Sequence, residues 1–204
     1  MSIILVRHGE TALNASRVIQ PPDTALSQRG AGQAAACARR IVELRPAGIL
    51  SSDLLRAAQT AEAIGTATGL PVRFTSLLHE RNFGELRGQA YDSLGYDPIH
   101  RDEAAPGGES MEVFRDRVQR AFDEVLEMRA TLGGPLVVVS HGLVIRVLLE
   151  RHLQLPEGAL APARLGNTSV TILSSRQPYP VGLLNCAAHL TGDLSDDVSA
   201  VAGI

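Results

Sequence analysis

The sequence predicts an α/β fold: a three-layer sandwich with a mostly parallel central sheet and helices on both faces. Three observations carry this expectation. Short apolar runs that do not alternate with polar residues, such as Ile3–Val6 and Leu136–Val139, read as strands buried on both faces. Helical stretches with recognisable starts and stops lie between such runs. Strand and helix signals alternate through most of the chain, the pattern of a parallel sheet covered by helices.

In chain order, Ile3–Val6 is the first strand, followed by polar residues and a glycine. Ser27 precedes a helix over about Gln28–Leu44, ended by Pro46. Gly48–Leu50 is a short second strand. A helix over about Leu54–Ala67 follows, with Gly69 as its stop, and Pro71–Phe74 is a third strand. Residues 89–108 lack periodicity and are rich in proline and glycine, so they read as an irregular insert. Ser110 caps a long helix over Met111–Leu132, whose apolar stripe is Phe114, Val118, Ala121, Phe122, Val125 and Met128. Gly133-Gly134-Pro135 ends it. Leu136–Val139 is another buried strand, Leu143–Leu153 a short helix, and Val170–Leu173 and Val181–Leu184 the remaining strands.

With 204 residues and 45% apolar composition, the chain suits one domain over 1–204 with a sizeable core. The net charge of −3 offers no electrostatic footprint for nucleic acid or an anionic membrane. All 19 basic residues are arginine, which excludes Schiff-base and P-loop lysine chemistry. Two cysteines, Cys37 and Cys186, make no disulfide framework. The start of the chain lacks the basic and long apolar segments of a signal peptide, and no apolar run reaches membrane-spanning length. The expectation is a soluble, cytoplasmic protein. Its oligomeric state stays open, a homodimer included.

In a parallel α/β sheet, ligands bind outside the carboxyl ends of the strands. Arg7 and His8 follow the first strand. Ser51, Ser52, Asp53 and Arg56 follow the second, and Ser140, His141 and Gly142 the one that starts at Leu136. Two histidines and two arginines thus meet at one rim of the sheet. Guanidinium forks match phosphate oxygens in pairs, so this set suits a dianionic tetrahedral group. Arg7 and Arg56 could instead pair with Asp53 or Glu10 as structural ion pairs. A metal site is the competing functional reading, since histidine with carboxylate is common zinc ligation, but two neighbouring arginines repel a dication.

The segment Arg7-His8-Gly9-Glu10-Thr11, with Asn14 beyond it, resembles the signature of the histidine phosphatase (phosphoglycerate mutase-like) superfamily. Further blocks are similar to that family in the family's order. They are Ser51-Ser52-Asp53-Leu54 with Arg56 and Gln59-Thr60-Ala61; Glu80-Arg81-Asn82-Phe83-Gly84 ending Arg87-Gly88; Gly107-Gly108-Glu109-Ser110; Val139-Ser140-His141-Gly142; Asn167-Thr168-Ser169; and Asn185–Leu190. The resemblance implies a metal-independent phosphatase without a cofactor. Its catalytic residues would be His8, Glu80 and His141, with His8 the nucleophile that becomes phosphohistidine. The free ring nitrogen of His8 would be held by a backbone carbonyl near Gly9. Arg7, Arg56, Asn14 and His141 would bind the phosphate, and Glu80 would be the general acid and then the base. Gln20 would line the substrate mouth, although Pro21-Pro22 follow it where the family often has glycine. Glu10 and Glu85 are rivals to Glu80, and His79 is taken as structural. The substrate expected is a small phosphorylated metabolite. The insert at about 89–108, placed near the active site, offers Tyr91, Tyr96, His100 and Arg101 but no adjacent arginine pair, which favours hydrolysis over the mutase reaction. A cofactor-dependent phosphoglycerate mutase is the runner-up. A non-catalytic phospho-ligand binder is the alternative of another class.

Overall fold

The computed structural model describes residues 2–195. The expectation of one domain over 1–204 runs past them, because residues 1 and 196–204 lie outside the described residues. Among the described residues, six strands form one sheet in the order β3-β2-β4-β1-β5-β6. They are β1 (Ser2–Arg7), β2 (Gly48–Ser51), β3 (Val72–Phe74), β4 (Leu136–Ser140), β5 (Val170–Ser174) and β6 (Val181–Cys186). The pairings of β1 with β4, β4 with β2, and β2 with β3 are parallel. β5 pairs antiparallel with both β1 and β6. The switch has a chain-level cause. Residues 152–169 contain no helix to carry the chain back across the sheet, and only six residues, 175–180, separate β5 from β6. A connection that short permits only an antiparallel pair.

The helices are α1 (Ala12–Ala15), α2 (Gln28–Glu43), α3 (Leu55–Thr68), α4 (Met111–Ala130) and α5 (Gly142–Arg151). Successive strand side chains point to opposite faces, so both faces need apolar residues. Ile4, Val6, Ile49, Val137 and Val139 pack with Cys37, Ala38 and Ile41 of α2 and Ala57, Ala61 and Ile64 of α3. Ile3, Leu5, Leu50, Leu136 and Val138 pack on the other face with Phe114, Val118 and Phe122 of α4 and Leu143, Val144 and Leu148 of α5. The unalternated apolar runs are thus the middle layer of the predicted sandwich.

The cap signals act as expected. The Ser27 hydroxyl accepts from the Gly30 N–H at 3.0 Å, and that of Ser110 from the Val113 N–H at 3.2 Å. Gly69 ends α3 with φ +73°. Gly30 has a second role. A Cβ there would lie 1.9 Å from the Glu10 carbonyl oxygen, so glycine lets the start of α2 press against the loop after β1. In residues 89–108 the one helical turn is a short 3₁₀ turn at Tyr91–Ser93. Buried Arg81 orders much of the rest by donating to the carbonyls of Pro98, Ile99, Glu103 and Glu109 at 3.2–3.4 Å. Among the described residues, no helix is long and apolar enough to cross a membrane.

Candidate active site

The strand register brings the two histidines together. Arg7 of β1 lies opposite Ser140 of β4, so His8 and His141 leave adjacent parallel strands at the same edge. Their ring centroids are 5.2 Å apart, and both are buried. On the other side of β4, β2 delivers Ser52, whose hydroxyl lies 2.8 Å from His141 Nε2. His141 Nδ1 is buried and has no hydrogen-bond partner among the described residues. Arg7 closes β1, and Arg56 stands on the first turn of α3; they are 1% and 2% exposed. Arg7 donates to the Leu165 carbonyl, and Arg56 to the Pro21 carbonyl at 3.2 Å.

His8 Nδ1 lies 2.7 Å from the Gly9 carbonyl oxygen. A carbonyl can only accept, so Nδ1 carries the proton and Nε2 keeps its lone pair. This is the carbonyl that the resemblance pointed to. The backbone around the ring is tied down as well. The His8 carbonyl accepts from Asn167 Nδ2 at 3.0 Å, and its N–H donates to Ser140 at 3.0 Å. Thr60 bridges two parts of the site. Its hydroxyl accepts from the Gly9 N–H at 3.1 Å and donates to the Arg56 carbonyl at 2.8 Å.

Electrostatics keep the rings neutral. Burial, then Arg56, then Arg7 hold the His8 pKa well below the ordinary imidazole range, against the opposing bond to Gly9. His141 is lowered in the same way, by burial first and then Arg56 and His8. Burial brings Arg56 itself down to about 10, against the nearby Glu80 carboxylate. Glu80 shifts in the opposite direction. Desolvation raises its pKa, against hydrogen bonds from the N–H groups of Leu143 and Arg81 and the charges of Arg56 and Arg7. Those N–H groups hold its two carboxylate oxygens at 3.1 and 3.0 Å. Glu80 is thereby fixed from the first turn of α5, next to His141.

Gln20, Arg56, Glu80, Arg87, Tyr91 and Leu143 line one cleft. The strand register and the bond from Leu143 to Glu80 gather Arg7, His8, Arg56, Glu80 and His141 at one edge of the sheet, and Gln20 in the cleft accepts from the Thr11 hydroxyl at 2.7 Å. Asn14 is buried beside them. Its Oδ1 accepts from the Thr11 N–H at 2.6 Å, closing a capping box at α1, while its Nδ2 reaches Asn167 at 3.4 Å. Asn14 thus serves as a cap, and its amide nitrogen donates to Asn167.

The rival carboxylates are placed differently from Glu80. Glu10 is held by the Ser27 hydroxyl at 2.8 Å and by Arg29. Asp53 pairs with His79. Both carboxylates are thus engaged with other side chains. Glu85 is exposed. Sequence reasoning assigned no role to Ser52, Thr60, Asn167 or the Leu143 N–H. The first three stood inside motif blocks, which was the available signal. The last is a backbone group with no residue-type signature.

Comparisons to known proteins identify the family. The family described as the histidine phosphatase superfamily (branch 1) matches residues 3–183. The chain belongs to that superfamily and is an enzyme of the phosphatase type it defines. Among curated relatives, "Probable phosphoglycerate mutase GpmB" of Salmonella paratyphi C (strain RKS4594) is 37% identical over 181 residues, covering 84% of this chain and 83% of the relative. A mycobacterial glucosyl-3-phosphoglycerate phosphatase, solved in complex with VO3, is 33% identical with a TM-score of 0.73, covering 85% of this chain and 90% of that one. The phosphoglycerate mutase of Bacillus anthracis str. Sterne is 25% identical with a TM-score of 0.79, covering 92% and 95%.

Proposed function

We propose that this chain is a metal-independent phosphomonoester hydrolase that acts on a small phosphorylated metabolite through a phosphohistidine at His8. The observation that carries the reading is the 2.7 Å contact from His8 Nδ1 to the Gly9 carbonyl, which leaves Nε2 as a buried, neutral nucleophile. Nε2 attacks phosphorus, the bond to the leaving oxygen breaks, and Glu80 gives that oxygen its proton. Water then attacks the phosphohistidine, Glu80 takes the proton back, and the P–N bond breaks. Arg7, Arg56, Asn14 and His141 spread positive potential over the phosphoryl oxygens. Burial raises Glu80 towards the protonated form that the first step needs.

Two buried guanidiniums supply the charge stabilisation that a metal ion would supply elsewhere, and they repel a dication. Hydrolysis of a panel of phosphate monoesters should therefore survive exhaustive EDTA treatment. A large loss restored by zinc or magnesium would overturn metal independence. The phosphoglycerate mutase reading is favoured by the name of the curated relatives. Against it, the insert offers no adjacent arginine pair, and its Arg101 is engaged with Glu103. Free phosphate from phosphoglycerates indicates hydrolysis; isomerised phosphoglycerate indicates the mutase.

A further inference from the structure

A neutral imidazole has two unlike nitrogens, one that donates and one that accepts. For His8 the Gly9 carbonyl decides which is which. For His141 the same decision falls to Ser52.

Ser52 is fully buried after β2, two residues ahead of Leu54, the N-cap of α3. Its backbone is fixed on both sides. Its N–H donates to the Val139 carbonyl of β4 at 3.0 Å, and its carbonyl accepts from the Ser51 hydroxyl at 2.8 Å. Its own hydroxyl oxygen accepts from the Leu54 N–H at 3.3 Å and lies 2.8 Å from His141 Nε2. That hydroxyl has one proton to give, and among the described residues His141 Nε2 is the acceptor within reach. The two tautomers of His141 then differ in what they leave unmet. With the ring proton on Nε2, the Ser52 proton has no acceptor and the buried Nδ1 lone pair has no donor. With the ring proton on Nδ1, Ser52 is satisfied and a single group is unmet, the Nδ1–H. Unmet buried polar groups are expensive, so the second arrangement is favoured.

We infer that Ser52 is a positioning residue: its hydroxyl donates to His141 Nε2, places the ring proton on Nδ1, and so makes His141 a neutral N–H donor to the phosphoryl group at His8. The inference rests on the phosphatase reading. The two rings, with centroids 5.2 Å apart, carry the same tautomer for opposite purposes. His8 spends its N–H on Gly9 and presents a bare nitrogen to phosphorus. His141 spends its bare nitrogen on Ser52 and keeps its N–H for a phosphoryl oxygen. With Nδ1 bare instead, two lone pairs would meet and the donor would be lost. Burial holds His141 neutral, so its charge cannot stand in for the correct tautomer.

The test uses the full chain with nitrogen-15 histidine, without ligand, near neutral pH. Two-bond proton–nitrogen spectra tell a protonated ring nitrogen from a bare one, and the His141 signals are assigned by their loss in His141→Ala. The expected pattern is a protonated Nδ1 and a bare Nε2 in the parent chain, with the proton redistributed between them in Ser52→Ala. A protonated Nε2 in the parent, or an unchanged pattern in Ser52→Ala, would overturn the inference. The parent spectrum needs no variant of Ser52, so it decides the matter even if Ser52→Ala folds poorly. Kinetics on an aryl phosphate supply the second arm. Ser52→Ala should lower kcat about 10- to 100-fold, less than loss of the donor itself. Added to His141→Ala, the same change should cost less than about threefold, because Ser52 acts through that ring. An undiminished loss in the His141→Ala background would mean a structural role and overturn the inference. A parent chain that hydrolyses no aryl phosphate would overturn the phosphatase reading and this inference with it; the other adverse results overturn the inference alone.

Discussion

Replacing Glu80 with glutamine keeps the side chain's length and removes its ionisable proton. The structural consequence is readable from two contacts. Both carboxylate oxygens accept backbone N–H groups, from Arg81 at 3.0 Å and Leu143 at 3.1 Å. The glutamine carbonyl can satisfy one; its NH2 then faces the other, donor against donor. One partly buried N–H loses its acceptor, which costs about 1–3 kcal/mol. In a chain of this size that lowers the thermal midpoint by about 2–4 °C per kcal/mol. Kinetics on the variant are therefore measured well below its own midpoint. The chemical consequence depends on the substrate. An alkoxide needs the proton in order to leave, so kcat/KM for an alkyl phosphate should fall about 100- to 10,000-fold. An aryl oxide leaves with little help, so its kcat/KM should fall far less. Because kcat/KM reports only steps up to the first irreversible one, loss of Glu80 as the base for water does not confuse the comparison. Equal losses on both substrates would refute the acid assignment and turn attention to a positioning role through the Leu143 N–H.

Two further outcomes follow from the packing of the site. His8 and His141 have lowered pKa values in the fold, so below about pH 6.5 the unfolded chain binds protons that the folded chain refuses. Stability should be level above that pH and fall as the pH drops towards the folded-state values, by up to about 1.4 kcal/mol per pH unit for each ring. Urea midpoints at pH 7.5, 6.5 and 5.5 measure this, and equal values at all three would contradict the buried neutral rings. Gly30→Ala would place its Cβ 1.9 Å from the Glu10 carbonyl oxygen, so either α2 or the loop carrying His8 must move. The expected cost is about 1–3 kcal/mol by chemical denaturation, together with reduced turnover. Unchanged stability and activity would show that the loop position is not set there.

How much of this was legible in the sequence differs by level. The buried strands were legible because Ile3–Val6 and Leu136–Val139 have no polar alternation, and a parallel sheet covered on both faces needs none. The helices over Gln28–Glu43 and Met111–Ala130 were legible from Ser27 and Ser110, whose hydroxyls cap them. The antiparallel β5–β6 pair was not foreseen, because a short apolar strand has no direction until its connection is known. At the site, Arg7, His8, Arg56 and His141 were legible as a group because they stand at or soon after the ends of strands that open on the same rim. The neutral state of the rings was only partly legible. The effect of the arginines could be argued from residue type, but burial, the larger cause, belongs to the fold. Thr60 and the Leu143 N–H could not be placed, because their roles come from contacts 51 and 63 residues away in sequence.

The nucleophile is the point on which the mechanism turns. A phosphoramidate on His8 is acid-labile and comparatively stable in alkali, so acid quenching would destroy the evidence. Turnover of substrate labelled in its phosphate should instead be stopped in alkali and detergent, and the label mapped by peptide. The geometry of His8, with Nδ1 bound to Gly9 and Nε2 free, predicts label on His8 and none on His141. It also predicts that His8→Ala loses both the label and nearly all turnover. Near-normal turnover by His8→Ala, or label found on His141 alone, would contradict the assignment.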